Sequence, residues 1–198
     1  MMSKIRIYFF YFTIFITGAV ILVIEILGTR ILAPFYGSTV FVWSSLITVT
    51  LAFLALGYFL GGRLVDKKPN INLLYWIIFI SGISILLIPK YSSWVLLQTE
   101  DLGMRFGPLA AAFILFLAPL FLLAMVAPFA VKIKTQTLDH LGITAGNLYA
   151  LATVGSLTGA LLTGFYFIPN FSVTWIINAT GLSLIAIFFI WQILLIKK

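Results

Sequence analysis

The tract HLGITAGNLYALATVGSLTGALLTGFYFIPNFSVTWIINATGLSLIAIFFIWQILLI, residues 140–196, runs 57 residues without an Asp, Glu, Lys or Arg. A helix rises 1.5 Å per residue and crosses the hydrocarbon layer in about 20 residues, so this tract is too long for one crossing. Ile168-Pro169-Asn170 lies near its middle, and a Pro-Asn pair marks a turn between helices. The tract therefore holds two spans, about 146–168 and 172–195, with Ser172 placed to cap the second. Outward from it, the other long uncharged stretches are 7–24, 31–62, 69–89 and 106–131. Each holds one span, at about 8–28, 40–62, 72–89 and 108–131. The expected fold is all-α, one polytopic membrane domain of six transmembrane helices over residues 1–198.

Composition agrees with this reading. Of the 198 residues, 63% are hydrophobic and 9% charged, and the mean hydropathy is +1.19. Soluble domains carry about 25% charged residues, so too little polar surface is present to cover a water-soluble globule of 22.0 kDa. The net charge of +7 is accounted for by topology. Lys4, Arg6, Arg63, Lys67, Lys68, Lys132, Lys134, Lys197 and Lys198 fall on one side of the six spans, and Arg30, Lys90 and Arg105 on the other. By the positive-inside rule the first side is cytoplasmic and holds both termini. A nucleic-acid partner is not expected; the lipid bilayer is. Cysteine is absent, which excludes disulfides, thiolate metal sites and cysteine nucleophiles. Lys4 and Arg6 before an apolar run have the polarity of a signal peptide, but the run is too long, lacks an Ala-x-Ala end and contains Glu25. It reads as an uncleaved first span.

Turn signals separate the spans: Pro34-Phe35-Tyr36-Gly37-Ser38 after the first and Lys68-Pro69-Asn70 before the third, where Asn70 or Asn72 is placed as N-cap. The longest polar connection, Lys90 to Gly107, reads as an outer segment lying along the interface. Trp43, Trp76, Trp94 and Trp175 fall near span ends and fit an aromatic belt. Ala33-Pro34-Phe35 recurs as Ala127-Pro128-Phe129, 94 residues later. Each copy precedes a span with paired glycines, Gly57 and Gly61 in the second and Gly155 and Gly159 in the fifth. Two three-helix units, the second inverted because three is odd, fit this echo.

Few residues are able to carry chemistry. The four glycines at four-residue spacing flatten a helix face and point to helix packing. Glu25 is the one acid inside a span, where an ionised carboxylate is costly unless paired or hydrated. Arg30 follows five residues later, about 140° around the helix. Two readings of Glu25 stand: a buried ion pair that fixes helix packing, or a substrate or proton site. Polar residues of the second and fifth spans, Thr48, Thr50, Tyr58, Asn147, Tyr149, Thr153, Ser156 and Thr158, are available to complete such a site. Tyr149, Thr153 and Ser156 form a stripe on one helical face. The expected substrate-binding set is therefore Glu25, Arg30, Tyr58, Tyr149, Thr153 and Ser156. His140, beside Asp139, reads as a solvated loop residue. No metal, cofactor or catalytic signature is expected. Gly62-Arg63-Leu64-Val65-Asp66-Lys67 has the form Gly-x-x-x-Asp-basic at a span end, where a carboxylate flanked by cations is able to lock a neighbouring helix. The same spacing occurs in the first signature loop of major facilitator transporters.

Together, Glu25-Ile-Leu-Gly-Thr-Arg30-Ile-Leu-Ala-Pro34-Phe-Tyr-Gly37, Trp43 and Leu56-Gly57-Tyr58-Phe-Leu-Gly61-Gly62-Arg63-Leu-Val-Asp66 carry a resemblance. Met125-Val-Ala-Pro128-Phe129-Ala and Ala145-Gly146-Asn-Leu-Tyr149-Ala-Leu-Ala-Thr153-Val-Gly155-Ser156-Leu-Thr-Gly159 extend it. The chain resembles the membrane domain of membrane-bound spermidine-synthase-like proteins. That resemblance implies a facilitator-like membrane part, often followed by a Rossmann-like aminopropyltransferase domain. Here Lys197-Lys198 follow the sixth span with no Gly-rich nucleoside loop, so aminopropyl transfer is not expected of these 198 residues. The expectation is a module that binds or transports a small, polyamine-related solute. The competing expectation is a structural subunit that forms a homodimer or anchors a partner such as a separately encoded aminopropyltransferase. An enzyme is the weakest option, because Glu25, Asp66 and Asp139 lie at different membrane depths.

Overall fold

The computed structural model describes residues 4–135 and 140–196. Asp139, Lys197 and Lys198 lie outside the described residues. Among the described residues the chain is helical with no strand: α1 Lys4–Tyr36, α2 Val40–Lys67, α3 Ile71–Glu100, α4 Gly103–Lys134, α5 Leu141–Leu162, α6 Ile168–Asn170 and α7 Val173–Ile196. A π-helical turn, Thr163–Phe167, joins α5 to α6, so Leu141–Asn170 is one span. Six helices are long and apolar enough to cross a membrane. The first is 33 residues, about 50 Å, against a hydrocarbon layer of about 30 Å.

The helices therefore run past the expected span ends. Pro34 and Pro89 lie inside α1 and α3 rather than ending them. The expected interfacial segment Lys90–Gly107 is a correction: α3 continues to Glu100, Asp101 and Leu102 make the turn, and α4 starts at Gly103. Gly37 (φ 68°) and Gly103 (φ 72°) hold the left-handed backbone that such tight reversals require. The Asn70 side chain accepts from the Asn72 N–H at 2.8 Å and caps α3. Ser172 accepts from the Trp175 N–H at 3.3 Å and caps α7.

Helix pairing follows the glycines. A Cβ at Gly57 would meet the Phe121 carbonyl oxygen at 2.6 Å, and one at Gly61 the Met125 Cα at 2.9 Å, so α2 and α4 run parallel in backbone contact. On the other side Gly155 lies against the Phe15 carbonyl, and a Cβ at Gly159 would meet the Ala19 carbonyl oxygen at 2.6 Å, so α1 and α5 are also parallel. Gly82 and Gly181 approach reciprocally, a Cβ on either falling 2.9 Å from the other's carbonyl oxygen, and join α3 to α7. The contacts α2 with α4, α1 with α5, α3 with α4, α1 with α7 and α3 with α7 are conserved when α1 exchanges with α4, α2 with α5 and α3 with α7. That exchange relates a first three-helix unit to an inverted second one.

Its register corrects the expected echo. Phe15 and Phe121, like Ala19 and Met125, are 106 residues apart, while Gly57 and Gly155, like Gly61 and Gly159, are 98 apart. Ala33-Pro34-Phe35 and Ala127-Pro128-Phe129 are 94 apart and hence not equivalent. Pro128 lies within α4, where a Cβ on Gly61 would meet its Cγ at 3.0 Å, whereas Pro34 sits in the last turn of α1.

Prolines in α4 help to fix the α3–α4 seam. Pro119 has no N–H for the Leu115 carbonyl four residues back, and the Tyr91 hydroxyl of α3 donates to that carbonyl at 3.3 Å. Ser81 donates to the Pro119 carbonyl at 3.3 Å. At the Lys4 end, Tyr75 stacks on Trp191 with ring centroids 4.3 Å apart, and the Trp191 indole N–H donates to Asn72 Oδ1 at 3.1 Å. The Arg6 guanidinium donates to the Leu194 carbonyl at 2.8 and 3.1 Å, a cation at the negative end of α7. At the Tyr36 end, the Tyr36 and Thr99 hydroxyls bond at 2.7 Å.

Candidate functional site

With α2 held on α4 and α5 held on α1, the chain leaves a cleft where the two units meet. Its cavity of about 180 Å³ is lined from α1, α2, α4 and α5. Small side chains make room for it: Ala124, Ala127 and Ala130 of α4, spaced three apart, and Gly18 of α1. Apolar walls come from Ile14, Ile21 and Leu54, and polar groups from Thr17, Tyr58, Tyr149, Thr153 and Ser156.

The hydroxyls differ in availability. Ser156 donates across to the Gly18 carbonyl of α1 at 2.9 Å, which ties α5 to α1. Thr153 and Thr17 donate to carbonyls of their own helices, Tyr149 at 2.8 Å and Ile14 at 3.1 Å. Their oxygens remain acceptors. Tyr58 and Tyr149, one from each unit, both line the cleft. About half of each tyrosine is exposed, and among the described residues neither Lys nor Arg lines the cleft. The arrangement offers aromatic faces and hydroxyl oxygens in an apolar surround, which suits a ligand carrying an amine or ammonium group.

Of the six residues expected to bind substrate, Tyr58, Tyr149, Thr153 and Ser156 converge here. Glu25 does not line the cleft. It lies four residues beyond Ile21 and three beyond Leu22, so it occupies the same face of α1 one turn further along. Glu25 is half-buried, Arg30 is exposed, and no ion pair joins them among the described residues. The five-residue step turns the two side chains apart, and among the described residues neither makes an ion pair with another span. Arg30 instead borders a separate cavity at the Tyr36 end of the fold.

The loop motif acts at the opposite end. Asp66 pairs with Lys132 of α4 at 2.8 Å, both side chains more than half exposed, and the Arg63 guanidinium sits 3.8 Å from the Phe59 ring centroid. An exposed pair of this kind contributes about 0–1 kcal/mol. A Cβ at Gly62 would meet nothing within 4 Å, and Lys67 closes the last turn of α2. His140 is exposed at the start of α5. Among the described residues no three His, Cys, Asp or Glu side chains cluster as metal ligands.

Two features had no signal in the sequence reading. Trp191 is 1% exposed rather than at the interface, because its partners Asn72 and Tyr75 are more than a hundred residues away. In the π-helical turn the fully buried Thr163 hydroxyl has no hydrogen-bond partner among the described residues. Such turns widen a helix locally and recur at functional sites. No family model, curated protein or solved structure matches this chain.

Proposed function

We propose that the chain is a membrane module that binds and moves a small, polyamine-related cation through the cleft between its inverted units. The observation that supports this best is the convergence of Tyr58 and Tyr149, from opposite units, on a cavity that no Lys or Arg among the described residues lines. Inverted-repeat transporters hold solutes near mid-membrane at the repeat interface. An ammonium group there gains cation–π and hydroxyl contacts, and Glu25, one turn along α1, supplies the carboxylate a cation would next meet. In this reading the module sits in the cell membrane. The Arg63, Lys67, Lys68, Lys132 and Lys134 end, with both termini, faces the cytoplasm. Labelled spermidine should enter proteoliposomes bearing the wild-type chain faster than protein-free vesicles. Tyr149→Ala and Glu25→Gln should each lower the rate about tenfold, the effect of roughly 1.4 kcal/mol of cation contact. Uptake at the protein-free rate, or unchanged in both variants, refutes the proposal.

A second reading, a structural subunit assembled with a copy of itself or with a partner such as a separately encoded aminopropyltransferase, draws on the fifth span. Only 17% of its most apolar window is buried, the lowest share of the six, and Asn147, Tyr149 and Thr153 are exposed along it. Polar groups on such a face need protein or water rather than lipid. Stoichiometric co-purification of another chain in mild detergent, together with absent uptake, selects this reading.

A further inference from the structure

We infer that the cavity at the Tyr36 end of the fold is a binding site for a phosphate oxyanion, supplied at that depth by a lipid headgroup. This cavity of about 250 Å³ is bordered by Arg30 and Thr29 of α1, Ser38 of the connection, Trp43 of α2 and Gly164 of the π-helical turn. At about 30 Å³ per water, it has the room of several water molecules. Three of its polar groups are donors: the Arg30 guanidinium, the Ser38 hydroxyl and the Trp43 indole N–H. None of the three side chains makes a hydrogen bond or ion pair among the described residues. Thr29 has already given its hydroxyl proton to the Ile26 carbonyl at 2.7 Å. Among the described residues no carboxylate borders the cavity and none pairs with Arg30. The positive end of the α2 dipole begins at Val40, two residues past Ser38.

An unpaired arginine in a span needs an anion or water, and the depth decides which is at hand. Arg30 lies ten residues from the middle of α1, about 15 Å along the axis, which is the edge of a hydrocarbon layer about 30 Å thick. Lipid phosphates start at that level. A guanidinium binds two phosphate oxygens with its parallel N–H groups, and Ser38 and Trp43 remain for the others. This inference concerns a different cavity from the cleft and does not depend on the transport proposal.

The test is native mass spectrometry of the purified chain after incubation with phosphatidylglycerol, with phosphatidylcholine, or with phosphatidylglycerol plus millimolar inorganic phosphate. Phosphatidylglycerol retention should fall about tenfold in Arg30→Ala and less in Arg30→Lys, which keeps the charge but not the fork. Arg105→Ala, a cation at the same end but outside the cavity, should match the wild type. Displacement of the lipid by inorganic phosphate assigns the site to the free ion as well; resistance to it assigns the site to the lipid. Undiminished retention in Arg30→Ala, or an equal loss in Arg105→Ala, overturns the inference. Should Arg30→Ala fail to fold, the double change Ser38→Ala with Trp43→Phe replaces it, and unchanged retention there overturns the inference equally.

Discussion

Adding a single methyl group to Gly159 should loosen the fold, while the same change at Gly146 should tighten it. Both residues lie in α5, so Gly→Ala brings each the same helix-propensity gain of about 1 kcal/mol. Their surroundings differ. A Cβ at Gly146 meets nothing within 4 Å, whereas one at Gly159 falls 2.6 Å from the Ala19 carbonyl oxygen and 2.9 Å from the Ala19 Cα. Carbon–carbon contacts prefer about 3.5–4.0 Å, so α5 must retreat from α1 by roughly 0.5–1 Å. Backbone cannot rotate aside as a side chain can, and overpacking of this kind costs about 1–3 kcal/mol. The net for Gly159→Ala is about 0–2 kcal/mol of destabilisation. Adding Gly155→Ala, whose Cβ falls on the Phe15 carbonyl, should bring the pair to at least about 2 kcal/mol. The retreat also stretches the 2.9 Å bond from Ser156 to the Gly18 carbonyl. Thermal unfolding in mild detergent, followed by size-exclusion chromatography, reads this directly. At about 2–4 °C per kcal/mol for a chain of this size, the double variant should melt at least about 4 °C below wild type and Gly146→Ala slightly above it. A double variant as stable as Gly146→Ala would mean that α1 and α5 do not meet through their backbones.

Trp191→Ala should cost about 3–5 kcal/mol, as expected for a large buried ring, measured by the same melt. Trp191→Phe, which keeps most of the stacking on Tyr75 and loses the bond to Asn72, should cost about 1–2 kcal/mol. An effect near zero for Trp191→Ala would place that ring in lipid instead. Tyr36→Phe leaves the buried Thr99 hydroxyl bonded only to its own helix and should lower stability by about 0.5–1.5 kcal/mol. Combining it with Thr99→Val should add little, since both remove the same bond.

How much was legible beforehand differs between fold and site. Proline-linked turns and uncharged runs placed six helices, because the bilayer sets a length and hydropathy requirement that each segment meets by itself. The polar stripe on α5 was also legible, since Tyr149, Thr153 and Ser156 share a face through helix periodicity alone. Glu25 drew attention as a lone acid, yet it stands one turn outside the cleft. Only the contact of α1 with α5 through Gly18, Gly155 and Gly159 fixes which part of its face is lined.

By itself, then, the sequence determined the number of spans, their order and which residues are polar within them, but not the tight Asp101-Leu102 reversal between α3 and α4. Tertiary structure decided which helices meet, and in what register. The Ala-Pro-Phe echo proposed a 94-residue offset, but backbone contacts at glycine set 106 for α1 with α4 and 98 for α2 with α5. Hydropathy is a property of one segment and its solvent. Close packing in a membrane depends on where a flat face finds another helix's carbonyl, and that pairing is written in no single segment.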